Sequence, residues 1–314
     1  MEISSIDKLI LRDLSSRNSL NLKNSHESSS LSYRQFLRRI DDLYDKGIIT
    51  GWLPVVHPLT YRVKKFVWLF LKTNPKNTQD LDYLNSLEGQ LLSLDGIAGI
   101  FSLLALIQFT NDNDFNSFLA KIEEAFQVHD PVRELQRYQH LEIIAFYKFN
   151  GFPIEKDINE PSEAEIRIIQ SLFEVGVHTK RPPTIEEIAD VSKMSTSSVQ
   201  KILKSLERSS TILGYSLRLN QIIKPAIKMI VQFKIHPRSI AEIISILKED
   251  PHTSFLAKTQ SDYSLLAIVY LDSIQNYNEW LKELYLNEDL LDTLTTVVLK
   301  DEYKEKNSLL FPIL

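Results

Sequence analysis

The feature that most constrains the fold of this chain is an internal repeat. Residues 102–107, Ser-Leu-Leu-Ala-Leu-Ile, recur as Ser-Leu-Leu-Ala-Ile-Val at 264–269, a shift of 162 positions. Three further similarities keep that register to within one residue: 49–52 with 212–215, 70–75 with 232–237, and 115–119 with 277–281. Four matches in the same order predict two copies of a unit of about 155 residues. Two such copies fill the 314 residues of the chain.

The first part of the second copy predicts a winged helix-turn-helix. Thr184 and Glu187 have the spacing of a capping box, which starts a helix over 185–191. A short turn then leads to a helix over 196–209 that has one apolar face. The alternating segment 212–218 predicts the strand of a wing.

The remainder of each copy alternates between strand and helix patterns in the order βαββαβ, which is typical of a ferredoxin-like domain. The first copy predicts a helix over 79–94 within this order, and the second copy predicts its last strand over 295–300. The sequence therefore predicts an α+β fold, a tandem duplication of a winged helix-turn-helix followed by a ferredoxin-like domain. The expected domains are a winged helix-turn-helix over 1–62, a ferredoxin-like domain over 63–152, a linker over 153–160, a second winged helix-turn-helix over 161–222 and a second ferredoxin-like domain over 223–314.

Composition excludes several classes of function. The chain has no cysteine, so it forms no disulfide and has no thiol nucleophile. Its 8 glycines are scattered, which disfavours phosphate-binding glycine loops. The histidines lack the spacing of metal ligands, so neither a metal nor a cofactor is expected. Without a signal peptide pattern or an apolar run of about 18 residues, we expect a cytoplasmic protein that does not enter a membrane.

The charge of the chain alternates along its length. The net charge is −5 overall, but residues 1–65 carry +4, 66–160 carry −7, 161–228 carry +3 and 229–314 carry −5. The two basic blocks coincide with the two predicted helix-turn-helix segments. A basic module beside an acidic one allows an anionic protein to present a DNA-facing surface.

These motifs have a recognisable counterpart. The run Ile-Glu-Glu-Ile-Ala-Asp-Val-Ser-Lys-Met-Ser-Thr-Ser-Ser-Val-Gln-Lys-Ile-Leu-Lys-Ser-Leu-Glu at 185–207, followed by Ile-Leu-Gly-Tyr at 212–215, resembles the DNA-binding domain of the Lrp/AsnC family of feast/famine transcription regulators. Segments 6–11 and 31–49 of the first copy are similar to the family's first and third helices. The βαββαβ parts resemble the family's RAM domain, which binds effectors and mediates oligomerisation.

The resemblance implies a sequence-specific DNA-binding transcription regulator that acts as a fused pseudo-dimer and forms a homo-oligomer. Its partner is double-stranded DNA, contacted by the third helix of each copy. The candidate contacts are Ser32, Tyr33, Arg34, Gln35, Arg38 and Arg39 in the first copy, and Thr196, Ser197, Ser198, Gln200, Lys201 and Lys204 in the second. The alternative for these side chains is an ordinary solvated helix face. Lys180 and Arg181, in the loop before 185–191, are further candidates for a phosphate contact, with an ordinary exposed loop as an equal alternative.

An effector site is implied only for the second copy. The loop Thr259, Gln260, Ser261 and Asp262 is similar to the family's Gly-x-x-Asp turn, near which amino-acid effectors bind, but it lacks the glycine. In the first copy this loop is almost deleted. We therefore expect at most one position for an amino acid or another small-molecule effector.

Two alternatives stay open at this point. Siroheme decarboxylases resemble the same layout, but the run that enters their first RAM strand is not found here, and the RAM-like parts hold few arginines (Arg133, Arg137 and Arg238). A tetrapyrrole with many carboxylates calls for more cations than that, so we expect no enzymatic activity. The other alternative is a sensor or assembly protein that has lost DNA binding. Segment 17–30 of the first copy favours this, because its many turn formers predict a second helix that is short or lost.

Overall fold

The computed structural model describes residues 4–15, 17–22, 30–61, 63–73, 91–127, 135–177, 179–219 and 227–300. The described helices are α1 (Ser5–Leu14), α2 (Tyr33–Asp45), α3 (Asp112–Gln127), α4 (Glu163–Gly176), α5 (Ile185–Ser192), α6 (Thr196–Arg208), α7 (Ile240–Glu249) and α8 (Ile274–Leu284). The strands are β1 (Ile49–Val56), β2 (Lys65–Thr73), β3 (Leu91–Ala98), β4 (Leu103–Phe109), β5 (Leu135–Phe149), β6 (Phe152–Pro153), β7 (Ile212–Leu219), β8 (Ile227–Ile235), β9 (Thr253–Thr259), β10 (Leu265–Leu271) and β11 (Leu290–Lys300). None of these helices is long and apolar enough to cross a membrane.

The chain divides into two compact units, and each unit takes segments from both sequence copies. The head unit lies within 1–60 and 152–224, and the barrel unit lies within 61–151 and 225–314. We call α1, α2 and β1 the first head, and α4, α5, α6 and β7 the second head.

The two heads share one antiparallel sheet, in which β1 pairs with β7. Trp52 lies opposite Leu217 in this sheet, and Pro54 lies opposite Tyr215. Leu217 belongs to the same buried cluster as Phe36 and other residues of the first head. A strand of the second copy therefore completes the hydrophobic core of the first.

Close backbone packing also joins the heads. A Cβ atom on Gly176, at the end of α4, would lie 2.0 Å from the carbonyl oxygen of Trp52 in β1. A Cβ on Gly51 would lie 2.6 Å from the carbonyl oxygen of Gly176. Only glycine allows α4 of one copy to approach β1 of the other this closely.

The barrel unit is a closed antiparallel sheet. Its strands pair in the order β2-β4-β3-β11-β8-β10-β9-β5, and β5 pairs back with β2. The first copy supplies the quartet β3-β4-β2-β5 and the second copy supplies β11-β8-β10-β9. The quartets join at two seams, β3 with β11 and β5 with β9. Closure pairs the edge strands that two open sheets would leave exposed.

Both faces of β2, β4 and β10 are buried, which explains their continuous apolar sequences. Val67 and its outward neighbours on β2 pack under α3, in a cluster that includes Phe115. The alternate residue Trp68 points inward and meets Phe255 of β9 edge-to-face, with ring centroids 6.0 Å apart. A buried ion pair at 2.9 Å joins Lys228 of β8 to Asp95 of β3.

The predicted mixture of helices and strands is confirmed. The two quartets of strands join into one closed barrel, which differs from a pair of ferredoxin-like domains as the sequence predicts them. Residues 91–94, assigned by the sequence to the end of a helix, begin strand β3, while 79–90 lie outside the described residues. The last strand, β11, begins at Leu290 and not at residue 295.

Candidate nucleic-acid interface

The second head forms a helix-turn-helix from α5 and α6. Thr184 caps α5 together with Glu187, and α5 ends at Lys193, whose φ of 56° is left-handed. Met194 donates its backbone N–H to the carbonyl of Ala189 at 3.1 Å, which closes the turn. Ser195 then caps α6. The turn thus fixes the direction in which α6 leaves the core.

The candidate residues on α6 share one exposed face. Val199, Leu203 and Leu206 are buried in the head. Thr196, Ser197, Gln200, Lys201 and Lys204 are exposed, and Ser198 is half-buried. Lys201 and Lys204 are three residues apart and therefore neighbours on the helix surface. Lys201 and Lys204 thus lie one to two turns beyond the helix N-terminus. The N-terminus itself favours anions because of the helix dipole.

The hydroxyl groups at the start of α6 bond to one another. Ser195 Oγ accepts the N–H of Ser198 at 3.2 Å, and it donates to Ser198 Oγ at 2.9 Å. Ser197 Oγ lies 3.1 Å from Ser195 Oγ. Ser198 therefore supports the cap, and Thr196 and Ser197 are the hydroxyls that face solvent.

The candidate residues on α2 divide into capping and exposed groups. Gln35 Oε1 accepts the N–H and the hydroxyl of Ser32, at 3.0 and 2.9 Å, in a capping box. Tyr33, Arg34 and Arg38 are exposed. Arg39 is partly withdrawn, because its Nη1 lies 3.4 Å from the buried carboxylate of Asp7 in α1. The cations that α2 presents are therefore those of its first two turns.

The segment between α1 and α2 takes no helical form in its described part, residues 17–22. Arg17 instead forms two backbone hydrogen bonds with Tyr215 of β7, in which its N–H donates at 3.1 Å and its carbonyl accepts at 2.6 Å. Residues 23–29 of the predicted second helix lie outside the described residues.

A loop of the second head holds the far end of α2. Arg181 donates to the two carboxylate oxygens of Asp41 at 2.7 and 3.3 Å. Lys180 forms an ion pair with Asp45, which raises the pKa of the lysine, and its ammonium group lies 5.4 Å from the ring centre of Tyr44. Trp52 Nε1 donates to the carbonyl of Lys180 at 3.2 Å.

Sequence reasoning missed this cluster, which we call the loop clamp: Lys180 and Arg181 with Asp41 and Asp45. A signal was available, because α2 carries three aspartates near its C-terminus, where the helix dipole disfavours acids. Such a helix end calls for cations from elsewhere in the fold. Lys180 and Arg181 are thus held by carboxylates.

The wing strands are used to join the heads. Tyr215 is buried in β7 and donates its hydroxyl to Glu207 of α6 at 2.9 Å, so the strand also holds α6. Burial raises the pKa of this phenol far above its ordinary value, and the nearby carboxylate adds to the shift. The shared sheet, the glycine contact and the loop clamp all connect α2 and α6 within one unit.

The predicted effector turn lies in the barrel unit and is satisfied by its own contacts. Thr259 and Ser261 both donate their hydroxyls to the carbonyl of Tyr263, at 2.5 and 2.8 Å. The N–H of Gln260 donates to the carbonyl of Glu142 at 3.0 Å, which extends the pairing of β5 with β9. Asp262 is exposed. The donors of this turn therefore do not converge on a common ligand-binding space.

Solved structures with a similar fold align with nearly the whole chain. The siroheme decarboxylase NirDL aligns at 13% identity with a TM-score of 0.61, covering 93% of this chain and 90% of that chain. NirDL in complex with an iron-uroporphyrin III analogue gives the same identity and TM-score, with coverage of 94% and 92%. An AsnC family transcriptional regulator from Agrobacterium tumefaciens aligns at 15% identity with a TM-score of 0.38, covering 49% of this chain and 97% of that chain. No protein-family model matches the chain, and no curated protein is detectably similar in sequence.

The expectation of no enzymatic activity is wrong. The structures that align with nearly the whole chain are those of an enzyme. The missing sequence run and the scarcity of arginine therefore do not exclude an enzyme. At 13% identity the likeness establishes the fold.

Proposed function

We propose that this chain binds duplex DNA through the exposed faces of α6 and α2, as a cytoplasmic transcription regulator of the Lrp/AsnC type. In this proposal the architecture is a tandem duplication of a winged helix-turn-helix and a RAM-type domain, with the domain limits predicted from the sequence. The chain acts as a fused pseudo-dimer that assembles into a homo-oligomer. A small-molecule effector would meet the turn at 259–262, where the hydroxyls of Thr259 and Ser261 already donate to the carbonyl of Tyr263.

The observation that carries the proposal concerns four cations on the two helices whose side chains are not paired within the described part of the chain. Lys201 and Lys204 on α6, and Arg34 and Arg38 on α2, have no hydrogen-bond or ion-pair partner among the described residues. Arg39 and Arg181 of the same unit, in contrast, are paired with carboxylates. Unpaired cations grouped on the outer face of a helix-turn-helix suit phosphate neutralisation.

The connection between the heads supports a composite operator. Both helices belong to one unit, so the protein would present them with a fixed separation. We expect two half-sites spaced by about one helical turn of DNA or a multiple of it. The half-sites should differ, because α2 offers arginines where α6 offers hydroxyls, a glutamine and lysines.

The test is fluorescence anisotropy with random duplex DNA over a salt series. The wild type is compared with Lys201→Ala/Lys204→Ala and with Arg34→Ala/Arg38→Ala. Each lost phosphate contact should lower the slope of log affinity against log salt by about 0.9. Lys121→Ala/Lys282→Ala removes two exposed lysines of the barrel unit and serves as the matched control. Equal effects of all three double variants, or no salt-sensitive binding by the wild type, would overturn the proposal.

A second candidate is an enzyme that acts on a carboxylated tetrapyrrole. The observation in its favour is the likeness to NirDL over the whole chain, together with the complex of NirDL with an iron-uroporphyrin III analogue. The described arginines of the barrel unit are otherwise engaged. Arg238 forms a double hydrogen bond with Asp289, and the guanidinium of Arg137 lies 5.7 Å from the ring centre of Phe101.

Absorbance titration with siroheme separates the two candidates. Saturable binding with a shifted spectrum, followed by loss of carboxylate groups detected by mass spectrometry, would favour the enzyme. An unchanged spectrum at concentrations well above that of the protein would remove this candidate. The siroheme titration and the DNA-binding assay test the two candidates independently, because they share no ligand.

A further inference from the structure

An apolar groove with an acidic rim lies between α7 and α8 of the barrel unit. One side is lined by Glu242 and Ile246 of α7 and by Asp250, which directly follows that helix. The other side is formed by α8 and the turn after it, with Trp280, Glu283, Leu284, Leu286, Asn287 and Glu288. Glu242, Ile246 and Asp250 are four positions apart and follow one line along the axis of α7. That line is about 12 Å long at 1.5 Å per residue.

The apolar surface of the groove is unusually open to solvent. Leu286 has 83% of its surface exposed and Ile246 has 43%. Trp280 and Leu284 lie between them as a buried floor. Isolated exposed apolar side chains are ordinary, but an apolar strip rimmed by polar residues is typical of an interaction site.

Every titratable side chain that lines the groove is an acid. Asp250 is engaged inside the fold, since its Oδ2 accepts from Trp280 Nε1 at 3.0 Å and from Thr253 Oγ1 at 2.5 Å. Glu242, Glu283 and Glu288 are exposed and have no hydrogen-bond or ion-pair partner among the described residues. Three like charges around an apolar strip repel one another, and a cationic partner would relieve that repulsion.

We propose that this groove is a docking surface for a basic amphipathic helix of a partner protein. The apolar side of that helix would cover Ile246 and Leu286, and its lysines or arginines would meet Glu242, Glu283 and Glu288. A length of about 12 Å corresponds to two turns of the partner helix. The acidic rim disfavours nucleic acid, so this surface is separate in function from the DNA-binding faces.

The C-terminal segment of the chain is a less suitable occupant. Strand β11 begins at Leu290, beside the groove, and its 11 residues carry the chain about 36 Å away at 3.3 Å per residue. The segment also carries both charge signs, Asp301 and Glu302 beside Lys304 and Lys306, and so lacks the uniform charge that the groove favours.

The probe is a fluorescent 18-residue peptide of leucine, lysine and alanine, with leucines at helical spacing. A second peptide replaces its lysines with glutamate, and a third scrambles the leucine spacing. We expect anisotropy to report salt-sensitive binding of the first peptide to the full chain and little binding of the other two. Glu242→Gln/Glu283→Gln/Glu288→Gln should weaken binding at least tenfold and flatten its salt dependence. Leu286→Ser should weaken binding about tenfold and leave the salt dependence unchanged.

The matched control is Glu249→Gln/Asp272→Asn/Glu279→Gln, which removes three exposed acids of the same unit outside the groove. Equal weakening by both triple variants would mean general attraction to an anionic protein and would overturn the proposal. So would a wild-type dimer that Leu286→Ser converts to a monomer, because a second copy would then cover the groove. A rise in peptide affinity on deletion of 301–314 would assign the groove to the C-terminal segment instead.

Discussion

Arg181, in the loop before α5, donates through Nη2 to Asp41 of α2 at 2.7 Å, across 140 positions of sequence. This contact connects the second head to the helix on which the first head presents its own arginines. It also neutralises a carboxylate on a helix proposed to approach DNA. The loop clamp therefore has a structural role and an electrostatic one.

The first prediction concerns Lys180→Ala/Arg181→Ala. Because both cations are paired with carboxylates, we expect the slope of DNA affinity against salt to stay within about 0.3 of the wild type, whereas two lost phosphate contacts would lower it by about 1.8. Affinity itself should fall, since Asp41 and Asp45 become uncompensated, and Asp41→Asn/Asp45→Asn should restore it. Anisotropy on all four combinations measures this. A lowered slope without rescue would mean that the loop contacts phosphate directly.

Gly176→Ala provides a test of how the heads are joined. The added Cβ would lie 2.0 Å from the carbonyl oxygen of Trp52, a backbone atom that cannot rotate away. We expect the free energy of unfolding to fall by about 1–3 kcal/mol, measured by urea denaturation. Glu174→Ala, at an exposed position of the same helix, should change it by less than about 0.5 kcal/mol. Equal stability of the two variants would mean that α4 and β1 do not pack this closely.

The second head could be predicted from sequence because its signals are local. Thr184 and Glu187 form the capping box that their spacing indicates, and α6 covers most of the expected 196–209. The joining of the heads could not be predicted in this way. Strand β1 pairs with a strand more than 150 residues later, and the capping role of Gln35 was hidden behind its suitability for base contact.

The closure of the barrel could not be predicted from local sequence signals either. Segments 102–107 and 264–269, which revealed the repeat, lie in or beside β4 and β10. A continuous apolar run indicates that both faces of a strand are buried, but it does not say whether helices or the interior of a barrel cover them. The seams between β3 and β11 and between β5 and β9 depend on which edges meet, and each joins segments more than 100 residues apart.

Lys193→Gly should stabilise the second head. Lys193 ends α5 with a φ of 56°, a conformation that costs a residue with a Cβ about 1–2 kcal/mol. Glycine removes that cost but adds freedom to the unfolded chain, so we expect a net gain of about 1 kcal/mol in unfolding free energy. Thermal denaturation of wild type, Lys193→Gly and Lys193→Ala decides this. The alanine variant keeps the Cβ and should show no gain; a gain there would assign the effect to the lysine side chain.

Stability should depend on pH through His57. This side chain is 1% exposed, and its Nδ1 accepts the N–H of Leu59 at 3.2 Å. Burial lowers the pKa of His57 from 6.5 to about 4, so between these values the unfolded chain binds a proton that the folded chain does not. Stability from this group is therefore complete above about pH 6.5 and is lost as pH falls toward about 4.

The urea midpoint measured from pH 7 to pH 4.5 tests this dependence. His57→Gln removes the titrating group and should flatten that part of the curve, even if it lowers stability at pH 7. His252→Gln changes an exposed histidine and should leave the curve as in the wild type. If the His57 variant keeps the full pH dependence, other groups are responsible.

The final prediction separates base recognition from phosphate contact on the proposed operator. Gln200 on α6 is exposed and can form two hydrogen bonds with adenine. On α2 the corresponding glutamine, Gln35, is held in the capping box, so Arg34 and Arg38 are the exposed cations of that helix. Binding-site selection should return a non-palindromic site. Gln200→Ala should reduce discrimination at one base pair by about 1–3 kcal/mol, and Arg34→Ala/Arg38→Ala should weaken binding to all sequences alike and lower the salt slope. Loss of base preference in the arginine variant would mean that α2 also recognises bases. A palindromic site would contradict the expected difference between the two half-sites.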